Sequence, residues 1–148
     1  MYDDQNIFAR ILRGELPCYK LYEDALCLAF LDIFPVNPGH LLVIPKKRVL
    51  SLSELDAASV GHLFQVAQKL AGSLRVSGVR CEGVNFWISD GAEAGQEVPH
   101  VHLHVIPRFS GDGFGWRVGP NNRKALPADE LEPLASAICR AQSGSSCS

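Results

Sequence analysis

His100-Val101-His102-Leu103-His104-Val105-Ile106 is the stretch whose reading decides the fold. Histidines alternate with apolar residues, and a period of two is the mark of a β-strand that packs one face on a core. The strand is expected from about Val98 to Ile106, with Val101, Leu103 and Val105 turned to the core. The row of His100, His102 and His104 then faces a cleft or solvent. Pro99 cannot donate a ladder bond, which predicts an edge position there or a point where one ladder bond is absent. Three of the chain's five histidines fall on this one face, more than a plain sheet surface calls for. The row is therefore read as functional.

Working outward, the glycine-bearing loop Asp90 to Gln96 precedes that strand, and Val84 to Ile88 reads as another. Cys18 to Tyr22 and Leu26 to Leu31 form a hairpin around Glu23-Asp24. Phe34-Pro35-Val36-Asn37-Pro38-Gly39 forces a loop, since each proline restricts its predecessor, and it delivers His40 to the strand Leu41 to Ile44. A short helix is expected from about Asn6 with Gly14 as its stop. The longest helix is expected to be capped by Ser53, with Leu55, Leu63, Phe64, Val66, Ala67, Leu70 and Leu74 on one stripe to about Ser73. His62 beside that stripe reads as a surface or boundary residue. A last helix is expected from Asp129, with Pro133 in its first turn and Leu131, Leu134 and Ile138 facing inward. Residues Phe109 to Arg123, with Trp116 and Asn121-Asn122, read as a flexible loop. One domain over 1–141 and a frayed tail over 142–148 account for the chain.

The 148 residues are 47% apolar and 20% charged, enough for one core, and the formal net charge is −2. That balance predicts no nucleic-acid partner and no membrane surface, so any phosphate recognition must be local. Cys18, Cys27, Cys81, Cys139 and Cys147 show no paired spacing, and the start MYDDQ has no apolar run with a cleavage site. A cytoplasmic setting is expected.

The histidine row admits two chemistries. Alternate strand Cα atoms lie about 6.5 to 7 Å apart, so three histidines on one straight strand converge poorly on a metal. Nucleophilic imidazole suits the row better: one ring nitrogen attacks while the other is held protonated. Gly91 and Gly95 let backbone N–H groups approach anionic oxygens and Gln96 adds an amide, which favours a phosphoryl over an acyl electrophile. Ser89 lacks the elbow motif of serine hydrolases.

The segment from Gly95 to Arg108 and the upstream run from Leu31 to Lys46 together resemble the histidine triad, or HIT, family of nucleotide hydrolases and transferases. The resemblance covers about Ile7 to Arg108. It implies an α+β fold, a five-stranded antiparallel sheet with packed helices, extended across a homodimer. It makes His102 the nucleophile that forms a nucleotidyl-histidine, with inversion at phosphorus in each of two steps. The carbonyl of His100 would orient its ring, His40 and His104 would complete the network at the α-phosphate, and Gln96 would contact phosphate or leaving-group oxygen. Asp32 would bind the ribose hydroxyls. Ile33, Phe8 and Leu42 would neighbour a purine, and Ser89 falls where family members often place Asn or Gln near the phosphates; Asn85 is counted with the nucleotide-binding set, its alternative being to steady the sheet or a loop.

Relatives with a structural zinc carry paired N-terminal cysteines and a histidine after Pro-Lys. This chain has Ile7-Phe8-Ala9-Arg10 and Arg48 there, so no metal and no tightly bound cofactor is expected, apart from a divalent cation carried with a polyphosphate substrate. Pro107-Arg108 resembles the dinucleoside-polyphosphate-cleaving branch. The expected activity is cleavage at the α-phosphate of purine nucleotide conjugates or diadenosine polyphosphates, releasing a nucleoside 5'-monophosphate. The alternatives are phosphoramidase activity, transfer of the nucleotidyl group to another acceptor, and nucleotide sensing with slow turnover.

Overall fold

Alternating and fully apolar runs become five strands: β1 (Lys20–Glu23), β2 (Cys27–Leu31), β3 (Leu41–Pro45), β4 (Gly83–Trp87) and β5 (Leu103–Arg108). They form one antiparallel sheet in the order β1-β2-β3-β5-β4. The structure, a computed structural model, describes residues 2–115, 119 and 124–142. The chain divides into two units, Met1–Phe114 and Gly115–Ser148. The sheet lies in the first.

Helix α1 (Ile7–Leu12) starts where Asn6 Oδ1 accepts from the Ala9 N–H at 2.9 Å, a cap worth about 1 kcal/mol. It ends before Gly14, whose positive φ of 74° lets its N–H reach the Ile11 carbonyl. The β1–β2 turn is held by Asp24, whose Oδ1 accepts from the backbone N–H groups of Leu26 and Cys27, both at 2.8 Å.

Helix α2 (Ala57–Val76) is capped by Asp56, not Ser53. Ser51 instead caps a short 3₁₀ turn, Leu52–Glu54, with Glu54 completing a capping box, and so takes up the chain just upstream of the helix. Leu63, Val66, Ala67, Leu70, Ala71 and Leu74 bury one face of α2, while Phe64 falls off the stripe and is exposed.

Strand alternation sorts the sheet into two faces. Cys27, Ala29, Leu41, Val43, Leu103 and Val105 join α2 in the larger core. Leu28, Phe30, Leu42 and Ile44 join Phe8 of α1 in a second cluster on the other face. Burying each such Leu or Phe side chain contributes roughly 1.5–3 kcal/mol. The two clusters hold the sheet rigidly from both sides, and the functional site is built on the α1 side.

Two expectations about the histidine strand are corrected. It begins at Leu103 rather than about Val98, because residues 98–102 leave the sheet: the His100 N–H turns back to the Val98 carbonyl, and the Val101 N–H donates to Val49. It is also an interior strand, lying between β3 and β4. Pro99 lies upstream of any ladder, and Pro107 is tolerated inside β5 because β3 pairs only with Leu103, His104 and Val105. Beyond that pairing the Pro107 carbonyl accepts from Asn37 Nδ2 at 2.9 Å.

The second unit contains α3 (Ala128–Ala141), which starts one residue before Asp129. Pro133 lies in its second turn, where the bond to the Asp129 carbonyl is lost. Leu131, Leu134 and Ile138, expected inward, are exposed. Trp116, Asn121 and Asn122 lie outside the described residues, as does the expected tail beyond Gln142.

Candidate active site

Register aligns the site. Phe30 pairs with Leu42, Leu42 with His104, and His104 with Trp87, so one row of side chains crosses four strands on the α1 face. Above it lies a cavity of about 590 Å³, a volume suited to one nucleotide-sized ligand. Phe8, Asp32, Ile33, His40, Leu42, Trp87, Ser89, His102 and His104 all line it. Phe8 and Leu42 are buried in its floor, whereas Ile33 is exposed at the rim.

Hydrogen-bond partners fix the tautomer of each histidine in the triad region. His102 Nδ1 lies 2.7 Å from the His100 carbonyl, which only accepts, so Nδ1 carries the proton. The lone pair of His102 is therefore on Nε2. The Val36 N–H donates to His40 Nδ1 at 3.1 Å, which places the His40 proton on Nε2. That Nε2–H donates to His104 Nδ1 at 2.9 Å, so His104 carries its own proton on Nε2. His100 Nε2 donates to the Pro45 carbonyl at 2.9 Å. One ring thus presents a nucleophilic nitrogen and its neighbour a hydrogen-bond donor, with the two ring centroids 4.8 Å apart.

The expected exposed row is only partly realised. His100 and His102 are buried, His100 completely, and His104 alone is half-buried. Bringing residues 98–102 off the sheet folds His100 under Phe8, and the edge of the Phe8 ring meets His102 at a centroid distance of 5.2 Å. Burial pushes the pKa of His40, His100 and His102 below the ordinary imidazole value, and takes His104 to about 4. All are neutral at pH 7. An imidazole nucleophile must be neutral, so the acid limb of its reaction is expected below pH 6.5, read from the rate of adduct formation against pH. A limb above 6.5 would show that burial does not govern this ring.

Asp32 Oδ1 accepts from the Phe34 N–H at 2.9 Å, and Oδ2 stands 3.5 Å from His40 Nδ1. Asp32 also lines the cavity. Ser89 is buried at the cavity wall and accepts from Trp87 Nε1 at 3.1 Å. Two other residues of the expected set are engaged elsewhere. Gln96 donates to the Leu50 carbonyl at 2.9 Å and accepts from the Gly91 N–H at 3.0 Å, so its amide braces the loop rather than lining the cavity. Asn85 Oδ1 accepts from Arg108, which also pairs with Asp112.

Sequence reasoning did not find Trp87 or the Val36 amide. Trp87 had a legible signal, since it alternates with Asn85 on one strand face, but only the β4–β5 register shows that it stands beside His104. The Val36 amide has no signal of its own. It depends on the turn of residues 32–40, closed by Asp32 N–H to the His40 carbonyl and His40 N–H to Asn37.

Among the described residues, two groups of side chains could hold a metal ion. Asp32, His40 and His104 form one, inside the cavity. Asp24, Cys27 and His62 form the other, with ligand atoms within 4.8 Å of one another. His62, read as a plain surface residue, contacts Asp24 Oδ2 at 2.6 Å from α2. Nitrogen, sulfur and oxygen donors suit zinc in kind, although they number three of the four a structural site uses. Burial pushes the Cys27 thiol up to about 12, and a bound cation would reverse that by stabilising thiolate. A metal held there would tie the β1–β2 turn to α2 on the face opposite the cavity. It would take no part in the chemistry.

Comparison with known proteins places these features. The family model described as "HIT domain" matches residues 13–111. An uncharacterised HIT-like protein of Borreliella burgdorferi is 45% identical over 139 residues, 93% of this chain and 97% of its own length. An adenosine 5'-monophosphoramidase of Schizosaccharomyces pombe is 39% identical, covering 81% of this chain and 91% of its own. A zinc-bound histidine triad protein from Mycobacterium smegmatis superposes with a TM-score of 0.71 at 36% identity, covering 90% and 97% of the two chains. These relatives and the Asp24, Cys27, His62 group overturn the expected kinship with the dinucleoside-polyphosphate-cleaving branch and point to the zinc-binding, phosphoramidase-containing one. Pro107-Arg108 misled because Pro107 answers to local pairing and Arg108 to Asp112 and Asn85. With the HIT model spanning most of the chain, and its histidines gathered at one cavity on a five-stranded antiparallel sheet, this protein belongs to the HIT family.

Proposed function

We propose that the protein hydrolyses nucleoside 5'-phosphoramidates through a covalent nucleotidyl-histidine. The observation that carries this is the tautomer of His102: Nδ1 is locked on the His100 carbonyl at 2.7 Å and Nε2 is left facing the cavity. In the first step the Nε2 lone pair forms a bond to the α-phosphorus. The bond from phosphorus to the leaving nitrogen breaks as that nitrogen takes a proton from solvent, and an amine departs. Water then attacks the same phosphorus, releases a nucleoside 5'-monophosphate, passes a proton to solvent and returns His102 to its neutral state. In this reading His104, whose Nδ1 accepts from His40, donates from Nε2–H to a non-bridging oxygen in both steps, where negative charge builds in the transition state. The amine leaving group follows from the likeness to the fission yeast phosphoramidase.

Asp32 is the ribose contact in this reading, because its free lone pairs suit a cis-diol. Asp32→Ala is expected to remove the preference for ribo- over deoxyribonucleotides, weakening ribonucleotide binding by about tenfold or more. Titration of both nucleotide types against wild type and variant checks this. A preference that survives in the variant would take Asp32 out of the ribose site. Gln96, Asn85 and Ser89 enter the proposal only as supports of the cavity wall and its loops.

A homodimer belongs to the same proposal. β4 pairs with β5 on one side and has no second partner strand on its outer side among the described residues, and Phe86 is exposed on it. Light scattering of the purified chain tests it, and a monomer mass at working concentration would count against it. The decisive assay for the activity offers adenosine and guanosine 5'-phosphoramidates and follows release of the monophosphate. No release under conditions where the nucleotide binds would refute the reading.

A further inference from the structure

His100 carries a constraint that none of the roles above uses. Its ring is completely buried, yet it sits in the segment that has left the sheet, so no strand ladder fixes it. Its Nε2–H is taken by the Pro45 carbonyl, which leaves a lone pair on Nδ1. That lone pair accepts from the Tyr2 hydroxyl at 2.5 Å, and the Tyr2 ring meets the imidazole edge-on with centroids 5.6 Å apart. The same residue's carbonyl holds His102 Nδ1 at 2.7 Å. Three links therefore run in series: the Tyr2 hydroxyl to the His100 ring, the His100 backbone to the His102 ring, and His102 Nε2 to the cavity.

We infer that Tyr2 is a positioning residue for the nucleophile, clamping His100 from the N-terminal segment so that its carbonyl holds His102 in the attacking tautomer. The physical ground is geometric. A buried imidazole with one ring nitrogen anchored on Pro45 can still swing about that bond, and a second anchor at Nδ1 removes the freedom. The segment before α1 is itself tied down, since Asn6 is buried and both its N–H and its Nδ2 donate to the Asp3 carbonyl. The clamp thus couples the seating of the first residues to the readiness of a nucleophile 100 positions away in sequence. Phe8 shares the packing on both rings but has no polar atom, so it cannot supply the anchor.

This inference rests on the nucleotidyl-histidine reading, and the test separates the two. Tyr2→Phe keeps the ring and removes the hydroxyl, whereas Tyr2→Leu removes both. Adduct formation is followed by rapid quench with a nucleoside phosphoramidate, alongside KM, melting temperature and the ¹⁵N shifts that report the tautomers of His100 and His102. Expected for Tyr2→Phe is an adduct rate about tenfold lower with KM and melting temperature close to wild type, and a mixed tautomer at His102. An unchanged rate and unchanged tautomers in Tyr2→Phe would overturn the clamp, including the case where only Tyr2→Leu is slow, which would reduce Tyr2 to packing. Absence of any adduct in the wild type would refute the proposed function instead. The ¹⁵N shifts of Tyr2→Phe would then still decide the clamp on their own.

Discussion

Replacing His102 by alanine is expected to abolish the covalent adduct and to lower turnover by at least about 10⁴-fold, while nucleotide binding persists. The size of the effect follows from what is lost. His102 Nε2 is the free imidazole nitrogen at the cavity whose lone pair the hydrogen bonds leave exposed, because His40 and His104 point protons toward their neighbours or the ligand. Ser89, buried at the cavity wall, is already engaged by Trp87 Nε1. Binding should survive, since Asp32, Ile33 and Phe8 are untouched. Stopped-flow turnover and equilibrium binding of a monophosphate measure the two sides. Loss of both together would mean that the substitution unfolds the site.

His104→Ala is expected to cost about 10²- to 10³-fold in kcat with a smaller change in KM. The neutral His104 ring donates from Nε2, and a donor that matters most as charge develops on phosphoryl oxygen acts on the transition state more than on bound substrate. His40 acts through it, by the bond from His40 Nε2 to His104 Nδ1 at 2.9 Å. The double variant His40→Ala/His104→Ala should therefore cost less than the two single effects combined. Full additivity would show that His40 touches the reaction independently.

Much of this was legible in the chain. The alternation around His102 gives the strand and its core-facing Val101, Leu103 and Val105, all buried as expected. The apolar runs give the five strands, and Asn6, Asp24 and Gly14 mark local turns and caps whose chemistry is carried by a few neighbouring residues. What was not legible depends on residues distant in sequence. That β5 is interior is set by its pairing with β3, some 60 positions earlier, and no local pattern around Pro99 reports it. Gln96 and Asn85 carry polar groups fit for a ligand, but the Leu50 carbonyl and Arg108 reach them first. Tyr2 meets His100 across 98 residues, and His62 meets Asp24 across 38. Side-chain type told what each group could do. Only the fold decided which partner used it.

Under the proposed mechanism His102 carries the nucleotide. Wild-type protein quenched during turnover of an adenosine 5'-phosphoramidate, digested and sequenced by mass spectrometry, should show one adenylyl group on the imidazole of His102. An adduct on any other residue, or steady turnover with no adduct at any time point, would contradict it.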